Sequence, residues 1–155
     1  MKNGIIWLLI CGFAGLLGCT SDKHFEKYFS RNGGIWDIKM FKWQRVANTI
    51  TTQDIRQGET TNAGYLKFED SGNCSFSHSL DTLNRTGIAV WSAQDEQIQL
   101  VYDSVAGAAP ATMIVSLRID KNGANKATLQ GTENWNDDIG GSYSNNLSYE
   151  LERRD

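Results

Sequence analysis

The side chains able to do chemistry are few, and their spacing does not suit it. The chain has two histidines, His24 and His78, and neither stands in an His-x-x-x-His or mixed Cys/His spacing that would hold zinc. His24 falls in a short leader helix and His78 in Ser75-Phe-Ser-His-Ser-Leu80, where both read as ordinary surface or strand residues. Cys74 has no histidine beside it in sequence, so no Cys/His nucleophile pair is visible, and it reads as a buried structural thiol. No Gly-x-Ser-x-Gly elbow and no glycine-rich phosphate loop occurs. Asp120-Lys-Asn122-Gly-Ala124-Asn125 approaches a calcium loop, but its glycine comes two positions early and Ala124 offers no side-chain oxygen. The acid pairs Asp95/Glu96 and Asp137/Asp138 are adjacent, a spacing that gives no reason for two carboxylates to straddle a scissile bond. Glu133, Asp137 and Asp138 around Trp135 read as a solvated acidic loop. The sequence therefore predicts no catalytic residue, no metal site, no cofactor and no enzyme.

Cys19 is different, because its context supplies a chemistry. One lysine in Met-Lys-Asn-Gly precedes an uncharged apolar run from Ile5 to Leu17, which as a helix is about 20 Å long and too short to span a bilayer comfortably. The run closes on Leu16-Leu17-Gly18-Cys19, which resembles the lipobox of bacterial lipoproteins. That resemblance implies cleavage after residue 18 and an acylated Cys19 as the first mature residue. The expected organisation is a removed signal over 1–18, the lipidated cysteine and tether over 19–24, and one domain over 25–155. Three acyl chains bury enough CH₂ groups for stable anchoring in membrane lipid. Cys11 leaves with the signal and Cys19 is consumed by lipid, so Cys74 is left without a disulfide partner. Thr20 supplies no acidic retention signal beside the cysteine, so the expected location is the outer membrane, with either side of it open.

The mature body has 155 − 18 = 137 residues, enough to bury a core without metals or disulfides. Its charge is 14 basic minus 18 acidic side chains, −4. Nucleic-acid binding needs concentrated Lys and Arg and is excluded on that ground.

Hydrophobic periodicity supplies the scaffold. Asp22 to Arg31, with Phe25 and Phe29 four apart, predicts one short helix ending at Asn32-Gly33-Gly34. Beyond it the pattern is β throughout. Ile35 to Val46 alternates until Phe41 and Trp43 fall on the parity opposite Trp36 and Ile38, so this strand either bulges near Met40 or carries aromatics on both faces. Ala47 to Thr61 is polar and reads as a connection, and Gly64 to Glu69, Cys74 to Leu80, Thr86 to Trp91 and Gln97 to Asp103 follow as strands. Thr112 to Asp120 has the clearest alternation, Asn122-Gly123 is a strong hairpin turn, and Lys126 to Thr132 and Tyr143 to Arg153 complete the set. Eight strands with connections too short for crossover helices predict an all-β antiparallel meander closing into a barrel. A β-sandwich is the rival, because alternation alone does not separate one curled sheet from two packed ones.

The lipobox cysteine, Gly34-Ile35-Trp36 opening the first strand, Gly64-Tyr-Leu-Lys-Phe68 before Asp-Ser-Gly, Trp91 ahead of Ile-Gln-Leu, and the closing Tyr149-Glu-Leu-Glu-Arg153 together resemble the lipocalin-like lipoproteins of Bacteroidetes. The resemblance implies a calycin barrel whose Trp36 closes the base under a basic residue of the last strand, Arg153 or Arg154. Met113, Val115, Leu117, Ile119, Ile98, Leu100, Leu147 and Leu151 share the inward parity and are expected to fill the interior. That moves the expected function outward, to an interaction module of the cell envelope with a membrane-protein partner, and Trp135, Trp43 and Trp91 are its candidate contact residues. The alternative is a carrier of a small hydrophobic ligand inside the barrel. Asp81-Thr82-Leu83 and Asp103-Ser104-Val105 resemble the O-glycosylation signal of exported Bacteroidetes proteins, with Thr82 and Ser104 as acceptors.

Overall fold

A computed structural model describes residues 20–80, 83–103, 112–136 and 140–155. Helix α1 (Thr20–Ser30) and a 3-10 turn (Arg31–Gly33) lead into β1 (Ile35–Asn48), β2 (Gln53–Phe68), β3 (Asn73–Leu80), β4 (Leu83–Gln94), β5 (Gln97–Asp103), β6 (Thr112–Lys121), β7 (Lys126–Asn136) and β8 (Ser142–Arg153). Every neighbouring pair is antiparallel and β8 returns to β1, so the sheet is one closed barrel and not a sandwich.

The parity conflict in β1 is resolved by a bulge between Ile38 and Met40. The extra residue resets the alternation, so Trp36 and Ile38 below it and Phe41 and Trp43 above it are all buried. Below, α1 is stitched across the barrel's lower end. Phe29 is fully buried there, and the Tyr28 hydroxyl lies 2.8 Å from the carbonyls of Gly123 and Lys126 in the β6–β7 turn. Gly34, at φ 66°, lets the chain turn from helix to strand against β2. A Cβ there would stand 1.8 Å from the Phe68 carbonyl oxygen, so no other residue fits. Val115, Leu117, Ile119, Ile98, Leu100, Leu147 and Leu151 are buried as their parity predicts, while the Met113 side chain lies outside the described residues.

Two sequence expectations need correction. The helix begins at Thr20, not Asp22, and so takes in the stretch read as a polar tether. The polar segment Ala47 to Thr61 is not a connection, since all but its tip is strand: β1 runs to Asn48, β2 starts at Gln53, and they stay in register from Met40↔Thr61 to Asn48↔Gln53. This hairpin rises beyond the packed core, so both faces meet water and the hydrophobic alternation that marks a strand is missing.

The upper end, away from α1, is where the ladders part. Among the described residues β2 pairs with β3 only from Gly64 to Phe68, β4 with β5 only from Val90 to Gln94, and β6 with β7 only from Ser116 to Lys121. Three seams therefore open toward the rim.

Candidate functional site

The residues lining those seams are polar. Above the apolar layers, the inward positions of β4, β5, β7 and β8 are Arg85, Tyr102, Glu133 and Asn145. All except Arg85 are buried, and the Arg85 side chain is 12% exposed. They make one network. Arg85 grips the Glu133 carboxylate with both terminal nitrogens, Nη2 to Oε1 at 2.6 Å and Nη1 to Oε2 at 3.1 Å. The Tyr102 hydroxyl donates to Oε1 at 2.5 Å, and Asn145 Nδ2 donates to Oε2 at 2.9 Å. Arg85 Nη2 also donates to the Tyr102 hydroxyl at 3.1 Å, and Arg45 Nε on β1 donates to Asn145 Oδ1 at 3.2 Å. Each Glu133 oxygen thus accepts two hydrogen bonds, which satisfies a carboxylate removed from water. The network joins strands that are not neighbours as well as strands that are: Arg85 and Glu133 tie β4 to β7 across the lumen, and Tyr102 draws β5 to both. This crossbar supplies side-chain connections where the backbone ladders have parted.

Burial alone would raise the Glu133 pKa, but the hydrogen bonds and charge of Arg85, helped by Tyr102 and Asn145, hold it below its ordinary value. Burial would lower the Arg85 pKa, and Glu133 reverses that. Both partners stay charged at neutral pH. Glu133 is therefore not part of a solvated acidic loop as its sequence neighbours suggested; it points inward and is 1% exposed.

His78 lies directly below, inside the wall rather than on a surface, with Phe41 at 4.9 Å edge-on, Tyr149 at 5.5 Å and Phe76 at 6.0 Å. Its Nδ1 is buried without a hydrogen-bond partner. Burial and the nearby Arg85 charge push its pKa down from 6.5 to about 4. Between those values the unfolded chain takes up a proton that the folded chain refuses, so stability is complete above pH 6.5 and is lost as pH falls toward 4, by up to about 3 kcal/mol. His78→Phe is expected to flatten this slope. Urea midpoints at pH 7 and pH 5 should converge in the variant relative to the parent protein, and an unchanged difference would show that His78 does not carry it.

At the base, Trp36 is fully buried, donates Nε1–H to the Phe29 carbonyl at 2.9 Å, and lies under the Arg153 guanidinium at 4.4 Å. Arg153 also donates to the Tyr28 carbonyl, while Arg154 points outward and pairs with Asp37, Nε to Oδ1 at 3.0 Å. Of the three tryptophans singled out as contact residues, Trp43 lies against Gly58 and Trp91 donates to the Glu69 carbonyl at 3.0 Å; both are buried, and each borders an outer cavity. Trp135 pairs through its backbone with Tyr143 near the upper rim, and its side chain lies outside the described residues, as do Cys19, Thr82 and Ser104. Cys74 is buried, and its pKa is pushed up to about 12 chiefly by that burial, so the thiolate is scarce.

Among the described residues, two cavities on the outside of the barrel stand out. One of about 460 Å³ runs over β1, β8, β7 and β6 past Lys42, Gln44, Arg118 and Asn146, and one of about 270 Å³ lies between α1 and the β2–β3 turn beside Trp91. Among the described residues no three His, Cys, Asp or Glu side chains gather as metal ligands, and no helix is long and apolar enough to cross a membrane.

No family model matches the chain, and no curated protein matches it either. Among solved structures, that of the ywiB protein from Bacillus subtilis aligns with 77% of this chain and 92% of that one at 13% identity, with a TM-score of 0.35. The closed eight-stranded antiparallel barrel behind an N-terminal helix is established by the strand pairing itself.

The crossbar was missed in sequence because its members are far apart along the chain and unlike any local motif. One signal was legible. Leu129 and Leu147 carry the inward parity of their strands, and continuing it two and four residues from Leu129 and two from Leu147 reaches Gly131, Glu133 and Asn145, which places an acid and an amide inside.

Proposed function

We propose that the chain is a non-enzymatic binding module of the bacterial cell envelope, tethered through an acylated Cys19, whose barrel takes a small ligand at its upper end. The observation that supports the ligand reading is the buried Arg85–Glu133–Tyr102–Asn145 crossbar. A barrel needing only stability would fill this layer with apolar side chains, since a buried ion pair is often no better than a hydrophobic replacement. Convergent polar groups at the open end of an otherwise apolar lumen are instead what orients a ligand. Arg45, which donates to Asn145, faces Arg56 across the β1–β2 ladder above this floor, and Arg56 is paired with Asp54 at 2.7 Å, so the rim is polar and favours a ligand with an apolar body and a polar end. The tether reading is supported by the lipobox-like Leu16 to Cys19 and the apolar run before it.

Native mass spectrometry of the full-length protein, purified from membranes in mild detergent through a C-terminal tag, tests both parts. The expected species lacks residues 1–18, carries acyl mass on Cys19, and holds one small molecule that Arg45→Ala releases. A polypeptide with an unmodified Met1 terminus would overturn the tether. An acylated polypeptide with no bound molecule would overturn the carrier role.

A further inference from the structure

At the base of the barrel three basic side chains converge on one tyrosine. The Lys121 ammonium lies 4.6 Å from the centre of the Tyr28 ring, the Arg153 guanidinium 5.2 Å and the Arg31 guanidinium 5.3 Å. Lys121 also stands 4.3 Å from the Phe25 ring. The three come from separate places in the chain: the 3-10 turn after α1, the lower end of β6 and the end of β8. Among the described residues none of them meets a carboxylate within ion-pair distance, and Glu96, whose charge reaches Lys121, stands farther off. Burial, and after it the charge of Arg31, lowers the pKa of both Lys121 and Arg153. Arg153 is 5% exposed, and its Nε and Nη1 have no hydrogen-bond partner. Arg31 is exposed and spends only Nη2, on the Ala124 carbonyl.

We propose that Arg31 and Lys121 form a binding site for a phosphate group at the base of the barrel, with Arg153 lending its charge from behind Tyr28. The aromatic rings attract the cations through their π faces but carry no counter-charge. Three like charges are therefore left uncompensated in one place, in a chain whose net charge is −3. A phosphate supplies the missing charge. Arg31 keeps Nε and Nη1 to donate as a fork, the geometry that suits phosphate oxygens, and Lys121 adds a point charge beside it. Arg153 makes no contact with the anion, since its guanidinium is buried, but its field acts through a medium of low dielectric and is weakly screened. The phosphate of a lipid headgroup is the source at hand. Phe25, beneath Lys121, lies about 8 Å along α1 from Thr20, the residue that follows Cys19. That choice of source rests on the tether proposed above; the site itself does not, and free phosphate offers the same chemistry.

Native mass spectrometry of the full-length protein in an uncharged detergent tests this with two probes, inorganic phosphate and dihexanoylphosphatidic acid. The expected result is a one-to-one complex that Arg31→Gln with Lys121→Gln weakens by about tenfold or more, since two charged donors are lost. Lys121→Arg should retain it. Lys39→Gln with Lys42→Gln removes the same charge from the barrel wall and should leave it unchanged. A complex with inorganic phosphate identifies free phosphate as a sufficient ligand. A complex with the lipid alone, or a phospholipid retained through purification and lost from the double variant, identifies a headgroup. Arg45→Ala, which empties the upper end of the barrel, should leave this complex in place, so the two sites succeed or fail separately. Equal thermal midpoints show that the variants remain folded, and Lys121→Gln alone gives the reading where the double variant melts early. Three results would overturn the proposal: no complex with either probe and no retained phospholipid, a complex indifferent to the loss of Arg31 and Lys121, or an equal loss in the Lys39 and Lys42 variant.

Discussion

Replacing Glu133 with alanine is expected to destabilise the barrel by about 3–5 kcal/mol, because it leaves the Arg85 guanidinium buried without its counter-charge. The loss has a second component. The Tyr102 hydroxyl and Asn145 amide, which now donate to Glu133 at 2.5 and 2.9 Å, would lose their acceptor together. Glu133→Gln should fall between, keeping shape and one acceptor oxygen while removing the charge. The informative comparison is the double variant Arg85→Met with Glu133→Leu. With both charges gone the layer becomes apolar, and much of the lost stability should return. Urea denaturation with an unchanged m-value measures all of these. If Glu133→Ala alone is neutral, the crossbar is not the closed network its distances describe. The double variant should also lose any ligand while remaining folded, which separates the role of the crossbar in binding from its role in holding the strands.

Trp36→Ala should cost about as much, about 3–5 kcal/mol, by a different route. Removing a fully buried indole opens a cavity between α1 and the barrel floor, strips the Phe29 carbonyl of its donor, and takes away the ring beneath Arg153. Arg153 Nε and Nη1 have no hydrogen-bond partner, so the π face of Trp36 is the main favourable contact for that side of the guanidinium. Trp36→Phe retains most of the volume and should cost distinctly less. Because a domain of this size is stable by only about 5–15 kcal/mol, combining Trp36→Ala with Glu133→Ala is expected to leave it unfolded at room temperature, detectable as loss of the near-ultraviolet aromatic signal.

The lower half of the molecule was legible in the sequence. Trp36, Ile38, Leu117 and Leu151 obey a period of two, the Phe41–Trp43 change of parity left a bulge near Met40 or aromatics on both faces as the two readings, of which the bulge is found, and Asn122-Gly123 marked its hairpin. There the sequence pattern and the burial report the same thing, because one face of each strand is in an apolar core. The upper half was not legible for the converse reason. The Ala47 to Thr61 arm has water on both sides, so nothing in its alternation distinguishes strand from loop. Arg85 and Glu133 meet across a lumen whose closure depends on all eight strands, and no local spacing records that meeting. Tryptophan content likewise suggested contact surfaces, whereas Trp43 and Trp91 are spent on internal packing and the exposed apolar side chains are β-branched.

The three seams set what can change in this molecule. Where strands are joined by backbone, the distance between them is fixed by peptide geometry and does not depend on which residues are present. Where the ladders part, side chains from five strands supply the connection, so the width of the opening there follows their lengths: a glutamate shortened to aspartate or an arginine exchanged for lysine would redraw it without altering strand order or the floor beneath. One scaffold can then carry mouths of different gauge, and divergence between descendants of this chain should concentrate at Arg45, Arg85, Tyr102, Glu133 and Asn145 while Trp36 and its surroundings stay constant.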